Sequence, residues 1–124
     1  MRKEKFESTE WGCGDDLNSA FYNNDLSETL KEVDVIVAEV CGENDGANWY
    51  WILQMKDGTF ANAIGGCDYT GWDCQSSASF SGGFKTPEEA IEKLEIPEFG
   101  GRKNIKVCLQ KQISEEIPFA IYQD

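Results

Sequence analysis

The chain of 124 residues fits one domain, spanning residues 1–124, because a chain of this length buries enough surface to form a core. Its content of 40% hydrophobic and 12% aromatic residues excludes a disordered acidic tail. Its 23 Asp and Glu residues against 11 Lys and Arg give a net charge of -12, which disfavours direct binding of nucleic acid or of an anionic membrane and favours a basic partner.

The amino terminus bears on the compartment in which the protein works. Residues 1–7 begin basic, but no apolar run follows them, so we expect neither a signal peptide nor a membrane anchor. We therefore expect a cytoplasmic protein, and in that compartment an odd number of cysteines favours free thiols over disulfides. The five cysteines are Cys13, Cys41, Cys67, Cys74 and Cys108.

Two helical signals come first along the chain. Residues 15–22 predict a short helix with Asp15 or Asp16 as its N-cap and one apolar face. Asp25 and Glu28 then have the spacing of a capping box, which predicts a second helix from Asp25, either separate or as the second part of one broken helix. Its apolar positions at i, i+4 and i+7 are Leu26, Leu30 and Val33.

Strand patterns fill the middle of the chain. Residues 33–41 are rich in Val and Ile, and residues 49–56 alternate as a strand with one buried face does. Asp57-Gly58 supplies the positive-φ turn of a two-residue hairpin, which returns through residues 59–64. Residues 75–84 alternate weakly and are rich in Ser and Gly, which suits either an edge strand or a loop.

The last third predicts one helix and one strand. Thr86 as N-cap, Pro87 at the first helical position and Glu89 two residues later begin a helix near 87–95. A further strand is predicted from alternating apolar residues, Ile105, Val107 and Leu109. Together the elements predict an α+β fold: a mostly antiparallel sheet of about four to five strands, with the N-terminal helical segments and the helix near 87–95 packed on it.

The residue types argue against most ordinary catalysis. The chain contains no histidine, which removes the most common general base at neutral pH and the usual partner of a Ser or Cys nucleophile. It has no Gly-x-x-x-x-Gly-Lys-Ser/Thr signature of a phosphate-binding loop, and no Gly-x-Gly-x-x-Gly that opens a helix, so nothing indicates nucleotide binding. We expect a protein that is not an enzyme and that uses no cofactor.

Residues 65–76 form the segment densest in motif-like residues, with two Cys, two Asp, two aromatics and three Gly. A zinc site would use Cys67 and Cys74 together with Cys41 or Cys108, but structural zinc sites space paired ligands by about two to four residues. A calcium site lacks the regular spacing and the distal Glu of a calcium loop; its ligands would be Asp68, Thr70 and Asp73. A disulfide between Cys67 and Cys74 would not persist in a reducing cytosol. We therefore predict no metal.

Two other roles are open to this loop. In the first, the cysteines, Tyr69 and Trp72 fold inward as a small core while the Asp side chains cap turns. In the second, Tyr69 and Trp72 are exposed anchors of a binding loop.

The loop sequence Cys-Asp-Tyr-Thr-Gly-Trp-Asp-Cys-Gln-Ser spans residues 67–76 and follows an aromatic hairpin. The hairpin contains Trp49-Tyr50-Trp51-Ile52 and Asp57-Gly58, and Glu43-Asn44-Asp45-Gly46 precedes it. In this arrangement the chain resembles a recurring pattern in small uncharacterised bacterial and phage proteins, over residues 39–95. The resemblance implies a shared fold and carries no activity.

The acidic excess is concentrated in residues 6–45, where eleven acids stand against one base, Lys31, for a net charge of -10. The acids are Glu7, Glu10, Asp15, Asp16, Asp25, Glu28, Glu32, Asp34, Glu39, Glu43 and Asp45. On a helix from Asp25, the carboxylates of Asp25, Glu28 and Glu32 would share one face. Such a row imitates the phosphates of duplex DNA, and the alternative is an ordinary solvated helix face.

These features predict a non-enzymatic acidic binding protein that inhibits or masks a basic, nucleic-acid-handling partner. In size, charge and lack of catalytic motifs the chain resembles phage-encoded DNA mimics and anti-CRISPR inhibitors. The predicted contact residues are Asp15, Asp16, Asp25, Glu28, Glu32 and Glu43, with Tyr69 and Trp72 as anchors. The alternatives are a metal or thiol module centred on Cys67 and Cys74, and an immunity-type protein that binds a basic toxin. The sequence leaves both a monomer and a dimer open.

Overall fold

A computed structural model describes residues 4–6, 16–22, 24–41, 46–68, 75–96, 105–115 and 120–121. The helices are α1 (Asp16–Tyr22), α2 (Ser27–Leu30), α3 (Pro87–Glu92) and α4 (Ile105–Glu115). The strands are β1 (Glu4–Lys5), β2 (Val33–Cys41), β3 (Gly46–Met55), β4 (Phe60–Asp68), β5 (Gln75–Phe84) and β6 (Ala120–Ile121).

Four long strands form an antiparallel sheet in the order β2-β3-β4-β5. Two short strands flank β2 at different points: β1 pairs antiparallel with Val35 and Ile36, and β6 pairs parallel with Val40 and Cys41. Strand β5 lies at the other edge, so the interpretation of residues 75–84 as an edge strand is confirmed. The α+β fold class is confirmed as well.

The central strand β3 is buried on both faces, which corrects the prediction of one buried face. One face carries Trp49, Trp51, Leu53 and Met55 toward α1 and α2, and the other carries Tyr50 and Ile52 toward α3 and α4. The reason is that helices cover both sides of the sheet, so a middle strand has no solvated face. The protein therefore has three layers, with the sheet between two pairs of helices.

The hairpin between β3 and β4 is present, but the loop closed by the hydrogen bond between Met55 and Thr59 has three residues, 56–58, instead of two. Met55 N–H donates to Thr59 O at 2.8 Å, and Gly58 N–H donates to Met55 O at 3.0 Å. Gly58 has a φ of 90°, where glycine pays no steric penalty. This is the three-residue hairpin loop, in which a turn is followed by a residue in the left-handed conformation. It is one residue longer than the predicted two-residue turn.

Asp57 in this loop accepts two hydrogen bonds from Thr59, one from Oγ1 at 2.6 Å and one from the backbone N–H at 2.9 Å. The Thr59 hydroxyl first, and the backbone N–H second, lower the pKa of Asp57, because both stabilise its charged form. The stabilisation is therefore present above the ordinary Asp pKa and is lost as pH falls through the lowered one.

We expect the Thr59→Val variant to raise the pKa of Asp57 toward its ordinary value, because it removes the hydroxyl donor and keeps a β-branched side chain. Carboxyl NMR titration of both proteins measures the change. An Asp57 pKa that is equally low in Thr59→Val would show that the hydroxyl bond has no effect on it.

The predicted capping box at Asp25 is wrong, because Asp25 ends α1 and does not begin α2. Asp25 has a left-handed φ of 61°, and Leu26 N–H donates back to Phe21 O at 2.9 Å. This six-residue closure is the usual way in which a left-handed residue terminates a helix. Helix α2 begins after Leu26 and has no side-chain cap.

This geometry predicts a difference between two substitutions that remove the same charge. Asp25→Ala should lower the free energy of unfolding by about 1 kcal/mol, because alanine pays the steric cost of a left-handed backbone. Asp25→Asn should stay close to the wild type, because asparagine tolerates that region. Urea unfolding of the two variants tests the assignment, and equal stabilities would contradict it.

Helix α3 is as predicted at its start: the Thr86 hydroxyl accepts from Glu89 N–H at 3.1 Å, and Pro87 is the first helical residue. Its inward face is buried through Ala90 and Ile91, and Leu94, which follows the helix, is buried as well. The helix itself ends at Glu92, earlier than the predicted 95.

The predicted strand at residues 105–109 is wrong, because these residues begin the helix α4. Ile105, Leu109 and Ile113 are buried at i, i+4 and i+8, whereas Val107 is 54% exposed. The alternation rested on three apolar positions, too few to separate a period of 2 from one of 3.6.

Candidate functional site

Four exposed carboxylates mark one corner of the protein, and we call Asp25, Glu28, Glu32 and Asp57 the acidic corner. The first three lie between the end of α1 and the start of β2. Lys56 N–H donates to Glu32 O at 2.8 Å, which fixes the β3–β4 loop beside this connection. The fold thereby adds Asp57 to the predicted acids, although it lies 25 positions further along the chain than Glu32.

The acidic corner is not the helical row that the sequence predicted. Helix α2 has only four residues, Ser27–Leu30, so it spans one turn of about 6 Å. Asp25 precedes it in a left-handed conformation, and Glu32 follows it in a turn. The three carboxylates are therefore held at a bend of the chain, with no regular repeat that would copy the spacing of duplex phosphates.

Two lysines moderate the charge of the acidic corner. Lys31 Nζ lies 3.1 Å from Glu28 Oε1, with the two side chains 60% and 87% exposed, so the pair stabilises the fold little. Lys56 is exposed in the neighbouring loop. Four carboxylates and two ammonium groups leave a local net charge of -2, which is a smaller excess than the linear count suggested.

The other acids of the first third differ from the acidic corner. Asp34 and Glu39 are half-buried, and Glu39 accepts a hydrogen bond from Trp51 Nε1 at 2.6 Å, so its carboxylate is turned to the fold and not to a partner. Asp16 begins α1, but its side chain lies outside the described residues. Asp15 and Glu43, both predicted contacts, also lie outside them.

Trp51 is the centre of the core below α1. Its ring is fully buried and meets Phe21 edge to face, with centroids 6.4 Å apart at 88°. Phe21 meets Phe80 in the same way, at 6.0 Å and 89°. A Cβ on Gly65 would lie 2.9 Å from two carbons of the Trp51 ring and 3.3 Å from Ala20 Cβ. Gly65 thus lets both the indole and α1 approach β4.

The motif-like loop is described only at its two ends. Cys67 pairs with Ser76 and Asp68 with Gln75, so β4 and β5 frame the connection of residues 69–74. The predicted anchors, Tyr69 and Trp72, lie outside the described residues, and so does Cys74. Gly65, the first residue of the motif-like segment, has a packing role beside Trp51.

The described residues test the cysteine and metal hypotheses only in part. Among the described residues, no three His, Cys, Asp or Glu side chains converge as ligands would around a metal ion. Cys108 is a half-buried free thiol on α4. Strand pairing of Trp49 with both Cys41 and Gly65, and of Gly46 with Cys67, places the ends of β2 and β4 at one end of the sheet.

Gln112 is a structural residue that sequence reasoning missed. Its side chain is fully buried on α4, its Nε2 donates to Glu39 O at 2.9 Å, and its Oε1 accepts from Glu39 N–H at 2.9 Å. The amide thus takes the place of a strand neighbour between the short partners of β2, which pair at 35–36 and 40–41. An isolated Gln in a helix is typically exposed, so no sequence signal marked it.

None of the described helices has the length and apolar character that crossing a membrane requires. Comparison with protein-family models, with curated proteins and with solved structures finds no match to this chain.

Proposed function

We propose that this chain is a non-enzymatic acidic binding protein that masks a basic, nucleic-acid-handling partner in the cytoplasm, as DNA mimics and anti-CRISPR inhibitors do. The observation that carries the proposal is the acidic corner, four exposed carboxylates that the fold gathers from two separate segments of a chain with a net charge of -12.

The acidic corner is suited to steering a basic surface toward the protein. A net excess of charge of one sign raises the rate of encounter with an oppositely charged partner, and it needs no regular spacing of charges. The same field repels nucleic acid, so the partner is a protein surface that otherwise binds phosphates. Asp25, Glu28 and Glu32 form the described part of this contact. The remaining proposed contacts are Asp15, Asp16, Glu43, Tyr69 and Trp72.

Affinity capture from the native host, washed at a series of ionic strengths, identifies the partner, and association kinetics with the purified partner then test the proposal. We expect the association rate to fall about tenfold or more between 0.02 M and 0.2 M salt, because screening removes long-range steering. Duplex DNA should compete for the same partner. A salt-independent rate, or a partner that binds DNA and this protein at once, would contradict masking.

The immunity-type alternative predicts a different outcome of the same capture. The partner would be a basic toxin, the rate would still depend on salt, and DNA would not compete. This outcome would retain acidic binding and reject the nucleic-acid-handling partner.

A metal or thiol module centred on Cys67 and Cys74 is the second candidate. It is supported by the strand pairing that brings the ends of β2 and β4, with Cys41 and Cys67, to one end of the sheet. Metal analysis of the purified protein with thermal unfolding in chelator tests it. Substoichiometric zinc and a Tm unaffected by chelator would reject a structural metal.

A further inference from the structure

A groove runs between α3 and α4 on the side of the sheet opposite to α1 and α2. It encloses about 460 Å³. Ile91 is the buried residue of its lining, and Val107 beside it is 54% exposed. Among the described residues, only Val107 and Tyr22 are exposed large hydrophobic side chains, and Val107 is the one of these two that lines the groove.

The two walls of the groove carry opposite charges. Glu88 and Glu92 line it from α3, and Lys106 and Lys111 line it from α4. Lys106 Nζ donates to the carbonyl oxygen of Glu92 at 2.9 Å, which joins the two helices and keeps a positive charge in the groove. Glu88, Glu92 and Lys111 make no ion pair with any described residue. The groove is therefore locally neutral, on a chain with a net charge of -12.

We propose that this groove is a self-association surface, on which a second copy of the chain docks across a two-fold axis that runs along the groove. Rotation about that axis lays α3 of one copy over α4 of the other. Glu88 and Glu92 of each copy then face Lys106 and Lys111 of its partner, and the two Val107 side chains meet near the axis. A two-fold contact uses the same patch twice, and a patch with one acidic and one basic wall is complementary to itself.

Charge also favours a second copy over other occupants. A basic or an acidic segment would meet one attractive and one repulsive wall, whereas a second copy meets an opposite charge on both. Two copies with net charges of -12 repel each other over most of their surface. The neutral groove is the region where this electrostatic repulsion is weakest. Because the contact is confined to the groove between two helices, we expect it to bury less than the roughly 800 Å² per partner of a standard interface, and we therefore expect a weak dimer.

The proposed dimer extends the function without depending on it. The acidic corner belongs to the side of the sheet covered by α1 and α2, and the groove to the other side, so both corners stay accessible in the dimer. Two linked corners bind a partner that offers two basic sites more tightly than one corner does.

Sedimentation equilibrium of the full chain at 0.15 M salt, up to several hundred micromolar, tests the proposal. We expect a monomer–dimer equilibrium for the wild type. Glu88→Lys/Glu92→Lys and Lys106→Glu/Lys111→Glu should each weaken self-association about tenfold or more, because both put like charges face to face. A one-to-one mixture of the two variants should restore a dimer, since each basic wall then meets an acidic one.

Controls separate the interface from the fold and from net charge. Glu28→Lys/Glu32→Lys changes the net charge as much as Glu88→Lys/Glu92→Lys does, but at the acidic corner, and it should not weaken dimerisation. Val107→Ser should weaken dimerisation without a charge change. Thermal unfolding checks that each variant folds. A wild type that stays monomeric throughout, or variants that fail to dimerise when mixed while both are folded, would overturn the proposal.

Discussion

Gln112→Leu should lower the free energy of unfolding by about 2–5 kcal/mol, because it removes the two hydrogen bonds that a fully buried amide makes to the backbone of β2. The Gln112 amide bonds both the N–H and the carbonyl of Glu39, each at 2.9 Å. The Gln112 side chain is fully buried, so water does not reach this site to replace the lost hydrogen bonds. Leucine fills a similar volume and packs well, but it offers Glu39 neither a donor nor an acceptor.

Gln110→Leu is the matched control on the same helix. Gln110 is only half-buried, and its amide donates to Ser114 Oγ at 2.8 Å near solvent, where water substitutes for the lost bond. We expect this control to change stability by less than about 0.5 kcal/mol. Urea unfolding measures both variants. A cost of Gln112→Leu that equals that of Gln110→Leu would show that α4 does not complete the edge of β2.

Gly65→Ala should lower the free energy of unfolding by about 1–3 kcal/mol through overpacking. The added methyl group would lie 2.9 Å from Cη2 and Cζ3 of Trp51, closer than real side chains approach each other. The indole cannot move away easily, because it packs against Phe21 and donates to Glu39. Because the indole is held on both sides, it does not shift to relieve the clash, and the strain lowers stability.

The double variant Trp51→Phe/Gly65→Ala isolates this contact. Phenylalanine lacks the two ring carbons that the methyl group would meet, so Gly65→Ala should cost less in the Trp51→Phe background than in the wild type. Urea unfolding of the four proteins gives the coupling, which we expect to exceed about 0.5 kcal/mol. An equal loss of stability in both backgrounds would mean that strain elsewhere in β4, and not the indole, is the reason why position 65 requires glycine.

The fold was predictable where a pattern was long or chemically specific. Strands β2 and β3 follow from the patterned runs of residues 33–41 and 49–56, and α3 from the succession of Thr86, Pro87 and an acidic first turn. Helix α4 was not predicted because the apolar residues at its start also fit a strand, and the helical period becomes clear only when Ile113 is included. A long-range contact such as that between Gln112 and Glu39 leaves no periodic pattern in the sequence.

The candidate site was predictable in residue type but not in shape. The sequence places Asp25, Glu28 and Glu32 close together, but local spacing suggested a helix where the chain bends at a left-handed Asp25. Asp57 joins the acidic corner only through the contact between Lys56 and Glu32, which folding creates. Glu39, one of the eleven acids of residues 6–45, does not belong to the acidic corner, because its carboxylate accepts a hydrogen bond from Trp51 on the neighbouring strand.

We propose that the acidic corner, and not net charge alone, brings the partner in. Stopped-flow association rates at low salt, with the partner identified by capture, test it with two variants of equal net charge. Glu28→Lys/Glu32→Lys alters the acidic corner, and Glu89→Lys/Glu95→Lys alters the other side of the sheet. We predict that the first slows association about tenfold or more and that the second slows it far less. Equal slowing by both variants would contradict the claim.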